Sequence, residues 1–154
     1  MNNPANSSPK QYCYDHARPA LTVDIVLFHR SGVDTEVLLI KRGRAPFKGR
    51  WAFPGGFVDE DESLESAAAR ELREETGLRG IKLEQLAAFG DPGRDPRGHT
   101  VSVVFYGAVS NRRAVIAADD AAEARWLSAS HPPKLAFDHR KILRIAMKQL
   151  EQES

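Results

Sequence analysis

Between Gly55 and Leu78 the chain reads GGFVDEDESLESAAARELREETGL, and no other stretch restricts its folding as much. Two adjacent glycines precede an acidic turn and a run of strong helix formers whose end is crowded with carboxylates. Glu71, Glu74 and Glu75 are spaced by three and four, so a helix sends their side chains out along one edge. Like charges placed this way repel by about 0.2–0.5 kcal/mol per pair on an isolated helix, a cost that a cation between them removes. All-oxygen ligation suits magnesium or manganese, and the absence of Cys and His from the stretch argues against zinc. Ser63 is the expected N-cap, Gly77 the expected left-handed terminator, and Leu64, Ala67, Ala68 and Leu72 form an apolar side suited to lying on a sheet. Taken alone, Arg70–Glu75 reads equally as a solvated helix end in which Arg70 and Arg73 balance the glutamates.

The longer pattern is more specific. Gly56, five residues, Glu62, seven residues and then Arg70-Glu71-Leu72-Arg73-Glu74-Glu75-Thr76-Gly77-Leu78 resembles the signature of the Nudix hydrolases at every fixed position. The resemblance implies hydrolysis of a nucleoside diphosphate joined to another group, with divalent metal held on a loop–helix–loop. It implies that Glu71 and Glu75, with Glu74 close by, hold the metal, that Arg70 orients them, and that Glu62 supports the site. Gly55 and Gly56 are expected to turn the backbone tightly enough for a carbonyl to reach the metal.

At 154 residues the chain has the size of one domain, and a formal net charge of +1 offers no general affinity for nucleic acid or anionic membrane. A single cysteine, Cys13, excludes an internal disulfide framework and fits a reducing cytoplasm, where the protein is placed. Residues 1–18 are polar, without apolar periodicity, and read as a flexible arm ahead of a domain spanning 19–154; Tyr12 and Tyr14 would let this arm fold over a partner subunit. No segment reads as a signal peptide or a membrane span.

Alternation predicts a strand over Ala20–His29, with Leu21, Val23, Ile25 and Leu27 on one face and Thr22, Asp24, Val26 and Phe28 on the other, paired as a hairpin with a strand over Glu36–Arg42. Further strands are expected at Trp51–Phe53, Ile81–Gly90, Thr100–Val109 and Ala121–Leu127. A closing helix is expected over Phe137–Leu150, with apolar Ile142, Leu143, Ile145, Ala146 and Leu150. This order predicts an α/β domain with a mixed sheet covered on both faces, and the Nudix resemblance implies the same α/β/α sandwich from about Pro19 to Gln149.

The expected chemistry is attack of a metal-activated water on phosphorus, with no covalent intermediate and with Mg2+, or Mn2+ in its place, as cofactor. The general base is either a motif glutamate or an acid of Asp119-Asp120-Ala121-Ala122-Glu123, where Glu123 is the first to test. Lys41, Arg42 and Arg44 are either solvated surface or phosphate ligands. The loop Gly93–Thr100 carries Arg94 and Arg97 on a proline-stiffened turn, and Arg94, Asp95 and Arg97 are the expected substrate contacts, with forked bonds to phosphate or ribose. Trp51, Phe53 and Phe57 flank the glycines and could stack on adenine, while His99 and His139 read as structural or surface residues.

GRDPRGHTVSVVFY together with LAFDHRKIL is similar to the Nudix branch that holds ADP-ribose pyrophosphatases and ADP-ribose-sensing regulators. That implies cleavage of ADP-ribose to AMP and ribose 5-phosphate, a small nucleotide substrate, and homodimers by analogy with relatives. The alternatives are a MutT-like house-cleaning nucleoside triphosphate pyrophosphatase, an ADP-ribose sensor, and an RNA-cap hydrolase. The sensor is disfavoured because such regulators carry a DNA-binding domain for which 154 residues leave no room; the cap hydrolase lacks a basic stripe interleaved with aromatics, and no stable nucleic-acid partner is expected.

Overall fold

The computed structural model describes residues 11–118 and 120–154. Strand β1, Ala20–Ser31, runs through the middle of a seven-stranded mixed sheet. On one side it pairs in parallel with β6, Thr100–Val109, from Ala20↔Thr100 to His29↔Val109. On the other it forms the expected hairpin with β2, Asp34–Arg42, and also pairs antiparallel with a short strand, β4, Gly55–Phe57. Strand β3, Trp51–Ala52, and β7, Ala121–Ser128, both pair with β2, and β5, Glu84–Phe89, closes the far edge against β6.

Both faces of this sheet are covered, so the alternation along β1 sorts residues between two cores rather than between core and water. Val23, Ile25 and Leu27 meet Ala67, Ala68 and Leu72 of helix α1, Leu64–Thr76. Val26 and Phe28 meet Ile142, Leu143, Ala146 and Leu150 of helix α2, His139–Gln152. The result is the anticipated α/β/α sandwich. Asp24 is the one charged residue in the two-sided apolar run from Leu21 to Phe28, and it is buried.

Two details depart from expectation. Ile145 lies on the outer side of α2, because positions 142, 143, 146 and 150 complete the inward stripe without it. Gly55 and Gly56 form strand β4 rather than a tight turn, and neither has a positive φ. Their need for glycine is steric: a Cβ on Gly55 would stand 2.2 Å from the Val23 carbonyl oxygen, and one on Gly56 would stand 2.5 Å from Glu71 Oε1.

Helix α1 begins and ends where its sequence signals place it. Ser63 accepts a hydrogen bond from the Ser66 amide at 3.1 Å, and Gly77, at φ 77°, donates its amide to the Arg73 carbonyl. A Cβ on Gly77 would meet nothing within 4 Å, so substitution there isolates the cost of the left-handed backbone. Gly77→Ala is expected to lower stability by about 1 kcal/mol in urea titration; an unchanged midpoint would show that the helix end relaxes freely.

Candidate active site

The apolar stripe of α1 carries two carboxylates with it. Glu71 and Glu75 follow Ala67, Ala68 and Leu72 into the protein and are themselves buried against β4, while Glu74 sits on the flank, about one third exposed. Arg70 gathers these acids. Its Nε and Nη2 donate to the two oxygens of Glu62 at 2.7 and 2.9 Å, Nη1 donates to Glu71 at 2.7 Å and Glu74 at 3.2 Å, and Nη2 also reaches the Phe57 carbonyl at 3.0 Å. The hydrogen bonds from Arg70 pull the Glu62 carboxyl down to about 2, helped by the Asp59 amide.

Glu75 has no such partner. Its Oε2 accepts the Gly55 amide at 2.9 Å, but burial, with Glu71 and Asp24 nearby, pushes its carboxyl up to about 8. Burial also raises Glu71 despite Arg70. Two carboxyls raised by burial, one of them, Glu71, pressed against a glycine that admits no Cβ, fit a hard divalent cation. Glu71, Glu74 and Glu75 could hold it. Among the described residues no three acids already stand in ligating geometry, since Arg70 holds Glu71 and Glu74 and would compete with the ion for them.

Beside Glu75 opens a cavity of about 350 Å3, within the range of small-molecule sites. Gly55, Gly56 and Glu75 line it, and so do Arg42, Arg44, Arg94, Asp95 and Arg97. The loop after β5 thus does reach the acidic helix, as its arginines suggested. The two arginines differ in state. Arg94 is only 4% exposed and grips Asp138, the N-cap position of α2, with bonds of 3.0 and 2.7 Å. It is no free arm on an exposed turn; two of its donors tie the loop to α2. Arg97 is 42% exposed and is steadied by buried Asp95, which accepts its amide at 2.9 Å and its guanidinium at 2.7 Å. Burial would raise the Asp95 carboxyl, but Arg97 and Arg94 outweigh it and hold it below its ordinary value.

Other expected contacts fall elsewhere. Phe53 lines the cavity but is 2% exposed, with one ring face stacked on His139 at 4.6 Å, so it is a core residue and has no free face for adenine. Trp51 does not line the cavity; it packs on the α2-side core with Lys41 over its ring. Glu123 does not line it either: the strand pairing sets it beside Lys41, and its oxygens bond Lys41 at 3.2 Å and Arg125 at 2.8 Å. A base already engaged by two cations, outside the cavity, does not fit the expected role. Asp120 does line the cavity and pairs with Arg44; Asp119 lies outside the described residues.

His99 is exposed, with Nε2 3.0 Å from the Gly90 carbonyl oxygen, whereas His139 is buried. His139 Nδ1 accepts the Phe53 amide at 3.1 Å, which leaves Nε2 to carry the proton toward Asp24 at 3.5 Å. Burial works against ionised Asp24, but His139, the Ser102 hydroxyl and Arg94 together depress its carboxyl. Sequence reasoning passed over Asp24; a lone carboxylate in a strand apolar on both faces was the available signal.

Glu75 fixes a pH dependence. With its folded carboxyl near 8 and the ordinary value at 4.5, the folded state holds the extra proton between those limits. Stability of the metal-free protein should therefore fall as pH rises through that window, and Glu75→Gln should flatten the slope while leaving the fold intact. Parallel pH profiles of denaturation midpoint for the two proteins, in chelator, check this; identical slopes would contradict it.

A family model described as "NUDIX domain" matches residues 18–145. The chain is 44% identical over 133 residues to an ADP-ribose pyrophosphatase of Methanocaldococcus jannaschii, covering 86% of this chain and 76% of that protein. It is 35% identical over 144 residues to the ADPR responsive transcriptional repressor NtrR of Acinetobacter baylyi, covering 91% of this chain but spanning only 58% of the repressor. The NUDIX domain of Shewanella oneidensis NrtR, solved in complex with ADP ribose, superposes with a TM-score of 0.81 at 36% identity, covering 94% of each chain. The matched span contains the glycine strand, the glutamate-edged helix and the arginines that line the cavity, and this chain belongs to the Nudix hydrolase family.

Proposed function

We propose that the protein hydrolyses ADP-ribose to AMP and ribose 5-phosphate with Mg2+ as cofactor and Mn2+ as a working substitute. The observation that carries this reading is a single cavity lined both by Glu75 with Gly55 and Gly56 and by several guanidinium groups, as a substrate with a metal-bound diphosphate requires. The likeness to an ADP-ribose pyrophosphatase over most of both chains supports the choice of substrate.

In this reading Glu71, Glu74 and Glu75 hold the cation, with Gly55 and Gly56 allowing the backbone to approach it. Arg70 aims the glutamates, and Glu62 aims Arg70. When bound, the cation neutralises phosphate oxygens and acidifies a water so that hydroxide is available near neutral pH. Water adds its oxygen to one phosphorus, the bridging P–O bond breaks, and the departing oxygen leaves on the other phosphate. Arg97, half in solvent and aimed by Asp95, contacts phosphate or ribose, while Arg94 positions the loop through Asp138. The general base falls to the motif glutamates rather than to Glu123.

Residues 19–154 act as one catalytic domain behind the N-terminal arm, in the cytoplasm and as a homodimer. Tyr12 and Tyr14 are exposed and stacked at 6.4 Å, with Tyr12 donating to Glu60 of its own chain at 3.3 Å, and in this reading they are the surface of the arm that a partner subunit would cover.

Incubation of the purified protein with Mg2+ and ADP-ribose in 18O-labelled water tests the activity. The expected outcome is equal release of AMP and ribose 5-phosphate, with label on a phosphate of one of them. Release of free ADP would refute cleavage of the bridging bond, and label on a ribose carbon would refute attack at phosphorus; tight binding without turnover would make the protein a sensor.

A further inference from the structure

Arg42, at the end of β2, lines the cavity half-buried, and among the described residues no carboxylate lies within ion-pairing distance of it. It is nevertheless held in place. Its Nε donates to the Pro46 carbonyl at 2.7 Å, and its guanidinium carbon stands 5.0 Å from the centre of the Phe137 ring. Arg97 approaches the same ring at 5.7 Å and the Phe57 ring at 5.0 Å. Two guanidinium groups thus share one aromatic ring at the cavity; Asp95 already pairs with Arg97, while Arg42 has no ion-pair partner among the described residues.

Phe137 occupies this place at a cost to its backbone. Its φ is 51°, a left-handed conformation uncommon for a bulky side chain, and Phe47, which meets its ring edge-on at 4.9 Å, has a φ of 60°. Backbone strain retained in two touching residues at a cavity wall points to a role for the ring there. Burial, and then the Arg97 charge, lower the affinity of Arg42 for its proton, against the pull of Glu75, Asp24 and Asp95.

We propose that Arg42, positioned with Arg97 by the ring of Phe137, binds the diphosphate of the substrate and makes the site select diphosphate esters over monophosphates. This rests on the reading that the substrate carries a diphosphate. Arg42 is the contact residue; Phe137 acts through it and is a positioning residue.

The test is isothermal titration of α,β-methylene-ADP, whose P–C–P bridge resists hydrolysis, and of AMP, each with saturating Mg2+. Wild type should bind the methylene diphosphate at least about tenfold more tightly than AMP. Arg42→Gln should lose about tenfold to a hundredfold on the diphosphate and much less on AMP, with partial recovery in Arg42→Lys, which keeps the charge and loses the fork. Phe137→Gly and Phe137→Ala should both lose discrimination, the glycine variant melting higher because it relieves the left-handed backbone. That split between binding and stability is not expected of a purely structural ring. Unchanged discrimination in Arg42→Gln, or equal weakening of both ligands, would overturn the proposal; if Arg42→Gln does not fold, wild-type discrimination in Phe137→Gly overturns it alone. Discrimination lost in Arg42→Gln while wild type fails to hydrolyse ADP-ribose would uphold this clamp and remove only the proposed activity.

Discussion

The guanidinium of Arg70 is the contact on which the site depends. A helix that buries Glu71 and Glu75 beside its apolar stripe takes two carboxyls out of water, a cost that a nearby cation offsets for the one it reaches. Arg70 supplies that charge, spreading its donors over Glu62, Glu71, Glu74 and the Phe57 carbonyl. It does not reach Glu75. That carboxyl stays raised, bonded only to the Gly55 amide, and the remaining charge deficit is what a divalent ion would fill. Arg70 thus offsets part of the cost of burying the carboxyls that make the site ready for metal.

The sheet turns this local balance into a cavity. Strand β1 is buried on both sides, so it can present Asp24 beneath the glycine strand while its neighbours anchor both helices. Asp24 meets His139, the first residue of α2, and His139 takes the Phe53 amide just ahead of Gly55 and Gly56. Arg94 binds Asp138 next door and brings the Gly93–Thr100 loop to the same corner. Buried Asp24 and His139, with Arg94 and the half-buried Asp138, thus fix the glycine strand, the start of α2 and the arginine loop relative to one another. Each is partnered, which is the condition under which buried charge rigidifies a structure.

What could be read from sequence was what local spacing determines. Helix α1, its two caps, its apolar stripe and the shared edge of the glutamates all follow from local spacing, and strand β1 follows from two-residue alternation, whereas β4 carries no such sign. The glycines were read for the right residue type and the wrong reason: their need is for close approach to Val23 and Glu71, contacts across 32 and 15 positions that no turn rule contains. Glu123 looked available because its partner Lys41 depends on a β2–β7 register that only the fold sets, although Arg125, two residues along the same strand, was within local reach. Arg94 looked exposed for the same reason, with Asp138 44 residues away. Trp51 and Phe53 are apolar residues doing the ordinary work of a core. Arg42 and Phe137, by contrast, carried no local sign of their meeting.

We propose that the edge formed by Glu71, Glu74 and Glu75 beside Gly55 and Gly56 is a divalent-cation site, at which a bound ion would displace part of the Arg70 network. Anomalous diffraction from crystals of the protein soaked in Mn2+ tests it most directly. The account predicts a peak within coordination distance of Glu71 and Glu75 oxygens, with the bond from Arg70 to Glu71 lengthened or lost. A peak elsewhere, or no peak at these carboxylates at saturating Mn2+ with the Arg70 bonds intact, would contradict it.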